Sequence, residues 1–256
     1  MKIVTVLLMV AMITVGLLTG CTIIKGSGVL VTEDMDFGDF TRVEVGYAFQ
    51  VEIVQSDQFS VSITADDNLF EYIRVSRQGS TLKIGVQPAV MFRSATYRAK
   101  VTMPQLLSLE LSGATQGTVS GFQSTEDLDI EVSGASSLEL EEILAGDTTF
   151  DVSGASKIIG EIAAHDVNFD ISGASTVRLL GMADDIKLDL SGASHVEMAD
   201  FLVSSADVDF SGASSGTVHV DGNLDVNLSG ASSLTYLGNA TLGDVDISGA
   251  SSLHGD

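Results

Sequence analysis

The sequence predicts an all-β protein built as a parallel β-helix, and three observations carry that prediction. A Ser-Gly-Ala triplet recurs eight times, beginning at Ser112, Ser133, Ser153, Ser172, Ser191, Ser211, Ser229 and Ser248. The spacings are 21, 20, 19, 19, 20, 18 and 19 residues, and a near-constant period of this length marks stacked repeats. Before each triplet, apolar and acidic residues alternate with period two, which places one face of a strand in a core and the other in water. Segments this short and this rich in Gly and β-branched residues disfavour helical repeats. Leucine-rich repeats share the period, but their asparagine-centred leucine pattern is missing.

The chain begins with Lys2, an apolar run over residues 3–18 and the tetrapeptide Leu18-Thr19-Gly20-Cys21. A positive start, an apolar stretch and a small-residue site describe an export signal, expected over residues 1–20. The run is also near the lower limit for spanning a bilayer, which makes a retained anchor the alternative. The tetrapeptide resembles a bacterial lipobox and holds the only cysteine of the chain. By that resemblance Cys21 becomes the lipidated N-terminus, followed by a tether over residues 21–37. A lone cysteine also rules out an internal disulfide framework.

Residues 38–111 read as a less regular β-rich part, and residues 112–256 as about eight triplet-marked rungs. In the latter, Leu109, Ile130, Phe150, Phe169, Leu188, Val208, Val226 and Val245 stand three before each serine, and a second apolar column stands one before. Beyond each turn a second strand is marked by Leu138, Ile158, Val177, Val196, Leu234 and Leu253. One such unit cannot bury its apolar face, but stacked units close a continuous core with rungs about 4.8 Å apart. The triplet is then a corner. Glycine supplies a conformation or close approach that a side chain would block, alanine fills the inside of the corner, and the flanking serines bond backbone or one another.

Between the two apolar columns stand Glu110, Glu131, Asp151, Asp170, Asp189, Asp209, Asn227 and Asp246. In a stacked helix these would form one exposed acidic column. The formal net charge is −23, and residues 112–256 hold 24 acidic against 3 basic side chains. Such a surface repels nucleic acid and anionic headgroups. The column reads first as a solvated face, and second as a ladder for a divalent cation such as Ca²⁺, which prefers carboxylate and carbonyl oxygens. No EF-hand loop accompanies it. No other cofactor is expected.

Catalysis does not account for the triplets. A nucleophilic serine needs one base and one oxyanion site, so eight copies have no chemical reason. His165, His195, His219 and His254 fall out of phase with the repeat. A polysaccharide-active enzyme, the alternative that β-helices suggest, needs a local carboxylate pair or a basic groove. Only Lys157, Arg178 and Lys187 are basic within the repeats.

The N-terminal half adds a resemblance. "GSGVL" at 26–30, "ADDNL" at 65–69, "GSTLKI" at 79–84, the "MP" before the first repeat and the serine-glycine corners together resemble the head-GIN domain family of auto-transporter adhesins. The resemblance covers nearly all of the mature chain. It departs at the corner, where the family often has Ser-Gly-Ser, and at "YRAKV", where it often has "P-L". It implies a right-handed, mostly parallel β-helix on an exported, often lipid-anchored protein, and carries over no catalytic residues. The resulting expectation is a non-enzymatic envelope lipoprotein, held to a membrane by its N-terminal lipid, whose rod binds an envelope glycan or protein.

Overall fold

The computed structural model describes residues 22–88 and 90–256. The export signal and Cys21 lie outside the described residues.

The eight corners bound a β-solenoid of about seven turns. One parallel sheet stacks Ser108–Leu111, Leu128–Val132, Thr148–Val152 and Asp166–Ile171, then residues 185–190 and 206–210, then Asn223–Leu228 and Thr241–Ile247. A second, just past the corner, stacks Gln116–Ser120, Ser137–Leu144 and Lys157–Ala163, then residues 176–183 and 195–203, then Ser215–Val220, Ser233–Leu237 and Ser252–Gly255. A third, narrower side joins residues 143–144, 162–163, 181–183, 201–203 and 219–220. All three sides are parallel, because each turn of chain passes the same point in the same direction.

The alternating pattern decides what lies inside. Leu109, Ile130, Phe150, Phe169, Leu188, Val208 and Val226 are all buried, each above its counterpart one rung away. Phe150 and Phe169 stack with ring centroids 4.9 Å apart and planes 5° from parallel. Val245 belongs to the same column but is 42% exposed, since no rung covers it.

Each triplet glycine is left-handed, with φ between +71° and +79°. In the seven triplets after the first, the following alanine donates its N–H to the glycine carbonyl of the preceding corner at 2.7–2.8 Å, so the corners are hydrogen-bonded into a spine. Alanine does not fill the inside of the corner, contrary to the sequence expectation. It is exposed, and the buried position belongs to the next residue: Thr115, Ser136, Ser156, Ser175, Ser194, Ser214 or Ser232. The reason is polar satisfaction. A tight turn leaves a carbonyl without a sheet partner, and an apolar methyl cannot meet it. In six of these corners the buried hydroxyl donates to the carbonyl three residues back at 2.7–2.9 Å.

The stack continues below the first triplet. Arg42–Val45 and Gln50–Gln55 pair in parallel with Ser108–Leu111 and Gln116–Ser120. Thr81–Val86 and Tyr97–Met103 then add one further parallel strand to each sheet. Beyond them the direction reverses: Ile73–Gln78 closes the first sheet, and Ser60–Asp66 followed by Leu30–Met35 closes the second, all antiparallel.

Residues 22–35, expected as part of a tether, include two strands instead: Thr22–Lys25 on Val90–Arg93, and Leu30–Met35 on Ser60–Asp66. The link between these strands is a polar knot that joins two of the motifs noted above. Buried Asp66 accepts from the Gly28 N–H at 2.6 Å and the Thr96 N–H at 2.8 Å, while Asn68 accepts from the Ser27 N–H at 3.0 Å and donates to the Lys25 carbonyl at 2.9 Å. The carboxylate is held in the interior because backbone donors replace the water it lost.

Candidate functional site

The acidic residues singled out in the sequence do form one column. Cα register runs Glu110–Glu131–Asp151–Asp170–Asp189–Asp209–Asn227–Asp246 without a break, one residue per rung on the outer face of the first sheet. Sequence reasoning missed its lower end. Glu44 sits under Glu110, and Lys83 sits under Glu44 and forms an ion pair with it. The signal was present, because Val43-Glu44-Val45 repeats the apolar-acidic-apolar pattern of Leu109-Glu110-Leu111 without the triplet after it.

Partial burial first, and then the charges of Glu44 and Glu131, raise the Glu110 carboxyl above the ordinary carboxylate range. Higher up, Lys187 reaches Asp189 at 3.2 Å and Asn227 donates to Asp209 at 3.0 Å. The column is thus an acidic wall relieved at three rungs by a cation or an amide.

The histidines are dispersed. His165 stands at the corner between the third side and the first sheet, with Nδ1 2.8 Å from Asp147 and 3.5 Å from Asp166. The Asp147 hydrogen bond, then the Asp166 charge, raise its pKa. These three side chains bring their ligand-type atoms within 4.8 Å of one another at an open surface. His195 instead meets the Ser215 hydroxyl at 2.9 Å, and His219 the Ala199 carbonyl at 3.0 Å.

The feature that sequence reasoning did not find is an apolar seam on the third side. Leu144, Ala163, Met182 and Leu202 are register neighbours on successive rungs. Leu144 is 41% exposed, Met182 57% and Leu202 44%, with Leu180 exposed beside them. Among the described residues from the first triplet to Leu237, these are the only large hydrophobic side chains left in water. Acidic Glu142, Glu161, Asp184 and Asp200 border them, all exposed. The alternation could not reveal the seam, because the register shifts between Leu140 and Ile143, between Arg178 and Gly181, and between Met198 and Leu202. Each shift inserts residues out of phase, so in-or-out parity is lost just where the third side begins.

Among the described residues no helix is long and apolar enough to cross a membrane. No curated protein matches the chain. Several solved structures do share its fold. A crystal structure of a putative adhesin from Parabacteroides merdae superposes with a TM-score of 0.86 at 19% identity, covering 92% of this chain and 99% of that one. A putative lipid binding protein from Parabacteroides distasonis gives 0.80 at 19% identity, covering 92% and 100%. A putative adhesin from Bacteroides fragilis gives 0.71 at 18% identity, covering 91% and 100%. The family described as "Putative auto-transporter adhesin, head GIN domain" matches residues 39–240, which span the stack from its lower rungs to its seventh triplet. By that match across most of its length, the chain belongs to the head GIN domain family that this description names.

Proposed function

We propose that the mature chain is an exported, non-enzymatic envelope lipoprotein that displays a stiff acidic rod for binding a partner. The observation that carries this reading is the seam of Leu144, Ala163, Met182 and Leu202. Contiguous exposed apolar side chains mark interaction sites, and between the first triplet and Leu237 the rest of the described surface exposes no other large hydrophobic side chain than Leu180 beside them. Their acidic border selects the partner: an apolar strip rimmed by Lys or Arg, on another envelope protein. The same border disfavours anionic lipid headgroups and a second copy of the seam, since either would bring like charges together. The family's adhesin description agrees with a surface-binding role.

Anchoring rests on Leu18-Thr19-Gly20-Cys21. A fatty-acid probe should label the wild type and not Cys21→Ser; equal labelling of both would remove the lipoprotein assignment. In a Gram-negative host, Thr22 rather than Asp after the cysteine favours outer-membrane placement. The binding reading is tested by pull-down from envelope fragments with the wild type and with Met182→Ser/Leu202→Ser. Both positions are exposed, so the variant should fold normally while losing the captured protein. Equal capture by the two would show that the seam is not the contact.

A further inference from the structure

A cavity lies at the lower end of the stack, away from the seam. Tyr47, Ala48, Val86, Phe92, Ser94, Ala95 and Tyr97 line its 380 Å³, the size of a site for one small ring. Three unrelated oddities meet there.

The first is backbone strain. Of the five non-glycine residues with positive φ among the described residues, Tyr47 (65°), Ala48 (64°) and Ser94 (51°) all line this cavity. Tyr47 occupies the place that glycine holds in every triplet corner. The Ser112 N–H donates to Val45 and the Gln116 N–H to Phe49, so Gly46-Tyr47-Ala48-Phe49 is the corner beneath Ser112-Gly113-Ala114-Thr115. Eight corners use glycine there, and the ninth carries a tyrosine that glycine would relieve.

The second is the placement of that tyrosine. Tyr47 is 54% exposed, and one edge of its ring lies over Gly85, where an added Cβ would stand 3.2 Å from it. An exposed aromatic side chain therefore lines the cavity. Strained residues that persist at a ligand-sized cavity are evidence for a function of the side chain they hold.

The third is a missing hydrogen bond. Among the described residues, the Tyr97 hydroxyl is the one buried side-chain polar atom with no partner. Its ring packs against Phe49 and Phe92. An unpaired buried hydroxyl is costly, and a ligand that supplies its partner removes the cost.

We infer that this cavity binds a neutral saccharide unit, stacked on Tyr47 and hydrogen-bonded to the Tyr97 hydroxyl and to Ser94. No lining residue is charged, so an ionic sugar would find no counterion, and an anionic one would also meet the repulsion of a chain at −23. An acyl chain would fill the space but leave the Tyr97 hydroxyl unpaired. A sugar ring offers both an apolar face for the aromatic ring and hydroxyls for the polar groups.

The inference extends the surface-binding reading to a second ligand at a separate site. Its test is an array of neutral hexose and N-acetylhexosamine oligosaccharides, with their sialylated and uronate-bearing counterparts and lauric acid as an acyl probe. Wild-type protein should bind neutral members. Tyr47→Gly should lose at least tenfold in affinity while its Tm rises, because glycine relieves the left-handed strain. Tyr97→Phe should weaken binding and leave the fold unchanged. Retained binding by Tyr47→Gly, a fall in its Tm, a preference for acidic sugars or for laurate, or no sugar binding at all would each overturn the assignment. Seam-dependent capture of an envelope protein, measured in parallel, reports on the surface-binding reading whatever the sugar result.

Discussion

Replacing one corner glycine by alanine isolates how closely the rungs must approach. At Gly134, φ is +75°, and an added Cβ would lie 2.6 Å from the Gly113 carbonyl oxygen and 3.0 Å from its nitrogen. The same carbonyl accepts the Ala135 N–H at 2.8 Å. Two costs follow. An L-residue in the left-handed region costs about 1–2 kcal/mol through its own Cβ. In addition, ordinary contact begins near 3.4 Å, so the rungs must separate by about 0.8 Å at this point. That breaks the bond between the Ala135 N–H and the Gly113 carbonyl, and at this exposed corner a lost hydrogen bond costs about 0.5–1.5 kcal/mol. Gly134→Ala should therefore lose roughly 1.5–3.5 kcal/mol, summing these two effects.

Gly121 provides the internal control, with φ +77° and nothing within 4 Å of an added Cβ. Gly121→Ala should lose only the backbone share, about 1–2 kcal/mol. Urea unfolding followed by circular dichroism measures both, and amide exchange at Ala135 shows whether the added loss resides at the corner. Equal losses in the two variants would refute the argument that rung spacing, rather than glycine's own conformation, dictates the triplet.

Other consequences concern the faces of the first sheet. Phe169→Asp removes a stacked buried ring, at about 3–5 kcal/mol, and adds the cost of burying a charge, whereas Asp170→Ala should stay within about 0.5 kcal/mol of wild type; thermal melts that fell equally would mean that inside and outside are exchanged. Glu110 has a raised folded-state pKa, so its stabilising contribution is complete below the unfolded value and is lost as pH rises through the folded one. Glu110→Gln should therefore raise Tm near pH 7 by about 1–3 °C, the size expected of one relieved like-charge contact, and the gain should vanish near pH 3. Changing Asp151, Asp170, Asp189 and Asp209 together to Asn should raise Tm at low ionic strength, with the gain shrinking as NaCl screens the wild-type column. If these carboxylates coordinate cations, Ca²⁺ should stabilise the wild type beyond NaCl of matched ionic strength and lose that excess in the Asn variant; equal effects of the two salts would mark the column as a charged wall.

The sequence by itself determined the solenoid, its period and the inner and outer faces of its regular strands. Those properties are local and repeated: Phe150-Asp151-Val152 and Phe169-Asp170-Ile171 state the same instruction one rung apart. Stacking then needs no long-range information beyond the period, which is why Glu110 to Asp246 fall into one column as read. Three things were decided only in the tertiary structure. The inside of the corner went to Ser175 and its counterparts rather than to alanine, because a stranded carbonyl outweighs the small volume of a methyl. The apolar seam emerged beyond register shifts that erase alternation, so Met182 and Leu202 are aligned by the rungs above and below them and not by their own neighbours in sequence. The lower end brought together Tyr47, Phe92 and Tyr97, which share no period, because antiparallel closure folds distant segments over the first rung. Repetition is legible in one dimension. The surfaces that depart from it acquire their neighbours only when the chain closes on itself.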